Sequence, residues 1–138
     1  MITAVDTSVL LDVLANDARF GTASLDALEA ARLRGRLIVC PIVWAELRAF
    51  FDEDRTLAGA LGSAGILFDP FDEPTASLAG AQWRSYRRSG GRRTRLVSDF
   101  LVGAHAQVRA GRLLTRDRGF YRRYFDALSI TEPEPPAP

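Results

Sequence analysis

Four acidic residues stand where a charge is costly or conspicuous. Asp6 interrupts MITAVDTSVLLD, where an apolar run gives way to Thr7 and Ser8 and then to a second apolar run. Asp117 directly follows the apolar start of LLTRDRGF. On a helix, Glu46 of IVWAELRAFF shares a face with Ile42, Val43, Ala49 and Phe50. Asp99, next to Ser98, shares a face with Leu96, Val102 and Gly103. Each acid has an ordinary structural explanation. Asp6 can cap a helix at Ser8, Asp117 can cap a short helix, and Asp99 suits the positive end of a helix dipole. Glu46 can pair with Arg48 or Arg55, or reach water at a helix end. As a set they suggest more, because carboxylates gathered in one pocket repel each other and call for cations. Hard divalent ions take oxygen ligands, and magnesium keeps several waters while using one or two carboxylates and a substrate phosphate.

The elements that would carry these acids alternate in type. ITAV reads as a strand, followed by a helix from Ser8 to Ala15 and a second over ASLDALEAARLRG, closed by Gly35. LIVC is a short, continuously apolar strand of the kind buried in parallel sheets. Pro41 suits the first turn of the helix PIVWAELRAFF. A weak, glycine-interrupted helix over RTLAGALGSAG leads to a third strand, ILFDPF. EPTASLAGAQWRSYRRS is a helix that runs into the loop GGRRTR. LVSDFLVGAHAQVRAG, RLLT, RGFYRRYF and LSIT then read as helix, strand, short helix and strand. This order predicts βαβ units and a parallel sheet covered on both faces. Ligands of such sheets bind beyond the carboxyl ends of the strands, and Asp6 is at one of them.

The bulk composition suits this plan. The chain has 138 residues, 47% of them hydrophobic and 25% charged, enough for one domain with a core that needs no disulfide. Cys40, in LIVCPIV, is expected to be a small core residue rather than a ligand. All 18 basic residues are arginine, which excludes the Walker A loop and its phosphate-binding lysine. No apolar run approaches the ~20 residues of a membrane span, and no signal peptide is expected before the first strand. A soluble, cytoplasmic protein is therefore expected. The domain is expected to span 1–131, with the proline-rich tail 132–138 disordered.

VDTSVLLD, the glutamate of IVWAELRAFF, SDFLVGAHA and LLTRDRGF, in that order, resemble the PIN-domain ribonucleases, specifically bacterial toxins of the VapC kind. The resemblance implies a three-layer αβα sandwich around a mainly parallel sheet. By it, Asp6, Glu46, Asp99 and Asp117 match an acidic metal-binding and catalytic quartet, and Ser8 and Thr115 match small polar positions beside it. It implies an endoribonuclease dependent on Mg2+ or Mn2+, a toxin restrained by a cognate antitoxin, and a homodimer. Three rivals can be named. A signalling receiver domain needs a lysine that this chain lacks; a non-catalytic binding module and a nuclease acting on DNA stay open.

The remaining polar residues have simpler readings. His105 is expected to be structural, and Asp12 to be solvated. Trp44 and Trp83 are expected to pack in the core or an interface, and Asp52, Glu53 and Asp54 to form a solvated surface. Arg84, Arg87, Arg88, Arg92, Arg93 and Arg95 crowd one segment that contains no acid, an electrostatic footprint suited to an RNA backbone.

Overall fold

A computed structural model describes residues 1–91 and 95–137. Its elements follow the alternation expected from the sequence: β1 (Ile2–Val5), α1 (Thr7–Leu14), α2 (Gly21–Arg34), β2 (Arg36–Val39), α3 (Pro41–Arg48), α4 (Asp54–Ser63), β3 (Ile66–Phe68), α5 (Glu73–Arg88), α6 (Val97–Arg109), β4 (Arg112–Leu114), α7 (Arg118–Tyr124) and β5 (Ser129–Thr131). The five strands form one sheet in the order β3-β2-β1-β4-β5. Every pairing is parallel, so the sheet is wholly rather than mainly parallel. Helices flank it to make the αβα sandwich. Residues 132–137 form no helix or strand, although Pro133 is buried.

The sequence explains which strands lie inside. Ala4, Val5, Leu37, Ile38, Val39, Leu113 and Leu114 are all buried, and they supply the central strands β1, β2 and β4. Edge strand β3 leaves Leu67 and Phe68 each 50% exposed. At the start of β2 a glycine is obligatory for steric reasons. A Cβ on Gly35 would lie 1.8 Å from the Met1 carbonyl oxygen, the same oxygen that accepts a 2.9 Å hydrogen bond from Arg36 N.

The order β3-β2-β1-β4-β5 puts the topological switch point between β1 and β4, where the chain's connections turn to opposite sides and a crevice opens. Asp6 N donates to the Leu114 carbonyl at 2.9 Å, so the two strand ends stay in register to the last residue. Helix α6 is fixed over this point by aromatic packing. Phe100, fully buried, meets Phe120 at 5.2 Å, Tyr86 at 5.4 Å and Tyr124 at 5.5 Å between ring centroids, tying α5, α6 and α7 together. The structural reading of His105 holds: it is buried, and its Nε2 lies 2.8 Å from Asp69 Oδ2. Burial, working against the pull of Asp69, lowers its pKa below the ordinary histidine value. Arg109 closes the same carboxylate at 2.9 and 3.1 Å.

Gly103 sets how closely α6 approaches Phe125, since a Cβ there would come within 2.3 Å of the Phe125 ring. Gly103→Ala is therefore expected to lower stability by about 1–3 kcal/mol through overpacking. Urea denaturation checks this, and an unchanged midpoint would show that the contact relaxes freely.

Candidate active site

Asp6 is the N-cap of α1, in extended conformation between β1 and the helix. Its Oδ1 accepts from Thr7 N at 2.8 Å and its Oδ2 accepts from the Thr115 hydroxyl at 2.7 Å. The capping explanation is thus correct, yet it does not exhaust the residue. Burial pushes the Asp6 pKa above the usual aspartate value against the lowering effect of both hydrogen bonds, and the nearby Glu46 and Asp117 charges push it the same way.

The other three acids reach the same place from different elements. Asp6, Glu46, Asp99 and Asp117 all line one cleft of ≈ 370 Å³, with Thr7, Ser8, Ser98, Arg116 and Tyr121 among its polar walls and Leu11, Ile42 and Val102 among its apolar ones. Glu46 comes from α3, and its Oε1 accepts from the Thr7 hydroxyl at 3.0 Å. Asp99, in the first turn of α6, accepts from Leu96 N at 2.9 Å. Asp117 makes no side-chain cap to α7; its Oδ2 instead pairs with Arg95 at 2.7 Å. Thr115 lies fully buried behind Asp6, and its Oγ1 also accepts from Asp117 N at 3.0 Å. One threonine therefore fixes both strand-end acids.

Glu46 corrects one expectation. It is exposed at the rim rather than set on a buried apolar face, because α3 stops at Arg48 and its buried stripe is Val43 and Leu47. Phe50, which would have extended that face, is 68% exposed. Arg48 and Arg55 pair with Asp54 and Glu53, leaving Glu46 to the cleft.

Asp12 corrects another. It is only 3% exposed, and its Oδ2 accepts from the Ser24 hydroxyl at 2.7 Å and meets Arg116 Nε at 3.0 Å. Nothing within α1 itself marks this, since Ser24 belongs to the next helix and Arg116 lies far along the chain. Arg116 and Tyr121 are cleft residues that sequence reasoning passed over. Tyr121 was accessible from spacing, because it stands one helical turn after Asp117. Burial first, then the Asp6, Asp99 and Asp117 charges, drive its phenol pKa far up, so it remains a hydrogen-bond donor.

The arginine segment is divided. Arg84 and Arg88 are exposed, Arg87 lies over the Trp83 ring at 5.1 Å, and Arg92 and Arg93 fall outside the described residues. Arg95 turns inward, 4.2 Å from the centroid of Phe120 while it holds Asp117. Trp44 packs edge-on against Phe68 at 5.4 Å, and Cys40 is buried with its thiol pKa pushed up to about 11.

Among the described residues, no three Asp, Glu, His or Cys side chains form a ready-made metal cage. The donor set nonetheless fits one kind of ion. It is all oxygen, its central carboxylate is desolvated, and Ser8 Oγ beside it is buried without a hydrogen-bond partner. An open arrangement of this type suits a hard divalent cation that retains water and takes a substrate oxygen, rather than a closed zinc site.

A wholly parallel αβα sandwich with an acid-lined cleft at its switch point is thus the class of domain at hand. The PIN domain model matches residues 3–126, and the chain belongs to the PIN domain family. PIN domains are generally nucleases and typically use divalent metal ions. Three solved structures are similar in fold. The crystal structure of VapBC2 from Rickettsia felis bound to a DNA fragment from their promoter has a TM-score of 0.76 at 16% identity, over 97% of this chain and 100% of that one. VapBC-1 from nontypeable Haemophilus influenzae gives 0.69 at 19%, over 96% and 98%. FitAcB from Neisseria gonorrhoeae gives 0.65 at 23%, again over 96% and 98%. No protein of curated function matches in sequence.

The Asp6 environment has a measurable consequence. Its folded pKa is raised, so its contribution to stability is full below the unfolded value of about 3.9 and is lost as pH rises through the folded pKa. In EDTA at pH 7, Asp6→Asn is expected to melt at or above the wild-type temperature, with the difference shrinking as the pH falls toward about 4. A variant melting far below wild type at pH 7 would mark the carboxylate as a structural partner instead.

Proposed function

We propose that this chain is a Mg2+- or Mn2+-dependent endoribonuclease and the toxin of a toxin–antitoxin pair. The observation that carries the reading is the convergence of Asp6, Glu46, Asp99 and Asp117 on one cleft at the β1–β4 switch point. Asp6 and Asp99 would hold the cation, while Glu46 and Asp117 would ligate it or position the attacking water. When bound, such an ion lowers the pKa of water and stabilises charge on the phosphate and leaving oxygen.

The chain's own residues do the positioning. Thr115 keeps the Asp6 carboxylate from rotating, and Thr7 orients Glu46 through one oxygen, leaving the other for a proton from water. Arg95 holds Asp117 against repulsion from its neighbours. Tyr121, kept protonated, can donate to a substrate oxygen. Arg84 and Arg88 lie exposed at i and i+4 on α5, a spacing suited to following an RNA backbone. A cognate antitoxin as partner is supported by the similarity in fold to VapBC structures and to a toxin–antitoxin complex from Klebsiella pneumoniae. A homodimer and a cytoplasmic setting belong to the same proposal, and no described helix is long and apolar enough to cross a membrane.

Purified, antitoxin-free protein is expected to cut total RNA with Mg2+ or Mn2+ and not with EDTA. Asp6→Asn or Asp99→Asn should reduce the rate at least about 100-fold, or about 2.7 kcal/mol of barrier, with unchanged circular dichroism. Cleavage at wild-type rates by both variants would end the proposal, and cleavage of single-stranded DNA alone would redirect it. In an Asp99→Asn background, replacing Arg84 and Arg88 with alanine should flatten the salt dependence of RNA binding by up to roughly 1.4 log units, about 0.7 per phosphate. An unchanged slope would place the RNA path elsewhere.

A further inference from the structure

Among the described residues, Arg116 is the one cationic side chain lining the acid cleft, and it pairs with none of the four acids there. Its Nε is held at 3.0 Å by Asp12, a carboxylate only 3% exposed that lies outside the cleft lining. The guanidinium carbon also sits 4.3 Å from the centroid of the Phe20 ring, and the Ser24 hydroxyl locks Asp12 at 2.7 Å. A free arginine beside four carboxylates would collapse onto them. Here a buried anion and an aromatic face restrain it on the wall instead.

The restraint leaves a chemically specific edge. Arginine presents five N–H donors in a rigid plane. Only the Nε edge is engaged, and the two terminal nitrogens make no hydrogen bond among the described residues, with about a third of the side chain exposed. That terminal edge matches a pair of phosphate oxygens, which arginine binds in a fork that lysine cannot reproduce. The site also has a need for it, because four carboxylates repel an approaching phosphodiester. If Arg116 served only to neutralise Asp12, a buried pair would be a poor source of stability compared with apolar packing.

We propose that Arg116, tethered by Asp12 and Phe20, is the residue that grips a substrate phosphate inside the cleft. This deepens the endoribonuclease reading and rests on it. It makes Asp12 a positioning residue, acting through the arginine.

The test uses the full chain in an Asp99→Asn background and a short, fluorescein-labelled, mixed-sequence single-stranded RNA, with anisotropy read over a salt series. Arg116→Lys keeps the charge and loses the fork. It is expected to weaken binding about tenfold with the salt slope nearly unchanged. Arg116→Gln would strand the buried Asp12 charge, so Asp12→Asn/Arg116→Gln is used instead. It is expected to stay folded by circular dichroism, bind more weakly still, and lose about 0.7 log units of slope. If both variants bind like their parent, Arg116 merely balances Asp12 and the proposal falls while the nuclease reading stands. If the parent itself shows no salt-dependent RNA binding and the wild-type chain cuts no RNA, both fall together.

Discussion

A hydrogen bond of 2.7 Å from the Thr115 hydroxyl to Asp6 Oδ2 joins residues 109 positions apart, and the geometry of the cleft depends on it. It forms because β1 and β4 are parallel neighbours whose carboxyl ends coincide, with Asp6 N closing on the Leu114 carbonyl. The same threonine oxygen accepts from Asp117 N, so two acids from opposite ends of the chain share one rigid support. Without the parallel register, Asp6 would keep only its Thr7 contact and the backbone of Asp117 would lose its anchor. With it, Asp6 is held partly desolvated beside Glu46 and Asp117, an arrangement that disfavours its charged form.

The surrounding charges are distributed so that this strain does not relax. Three of the described arginines each have a specific acid to hold: Arg95 takes Asp117, Arg116 takes the buried Asp12, and Arg109, at the end of α6, takes Asp69. Two of the three also carry an aromatic contact, Arg95 with Phe120 and Arg116 with Phe20, which limits how far their guanidinium groups can swing. Asp6, Glu46 and Asp99 are left without a described ion pair. The fold thereby keeps negative charge concentrated at the mouth of the sheet.

Most of the architecture was legible because strand and helix patterns in this chain are local. ITAV, LIVC and RLLT are short apolar runs bounded by breakers, and each became a strand within a residue or so of its expected ends. Three of the acids were legible for a related reason: Asp6, Asp99 and Asp117 stand at strand ends or helix starts, and those positions are visible in the sequence itself. What escaped was set by distance along the chain. Asp12 looks like an ordinary polar position of α1 until Ser24 and Arg116 are brought to it. Arg95 looks like part of a basic surface until Asp117 is known to face it. Glu46 was placed on a buried face because the apolar pattern of IVWAELRAFF continues past Arg48, whereas the helix does not.

The central claim is that the fold spends stability to hold Asp6 and its neighbours ready for a divalent cation. Isothermal titration of the metal-free protein with Mn2+ tests it most directly, against an Asp6→Asn/Asp99→Asn variant that keeps the wild-type circular dichroism. Saturable binding to the wild-type chain and none to the variant is the expected result. Equal binding by both, or none by either, would contradict it.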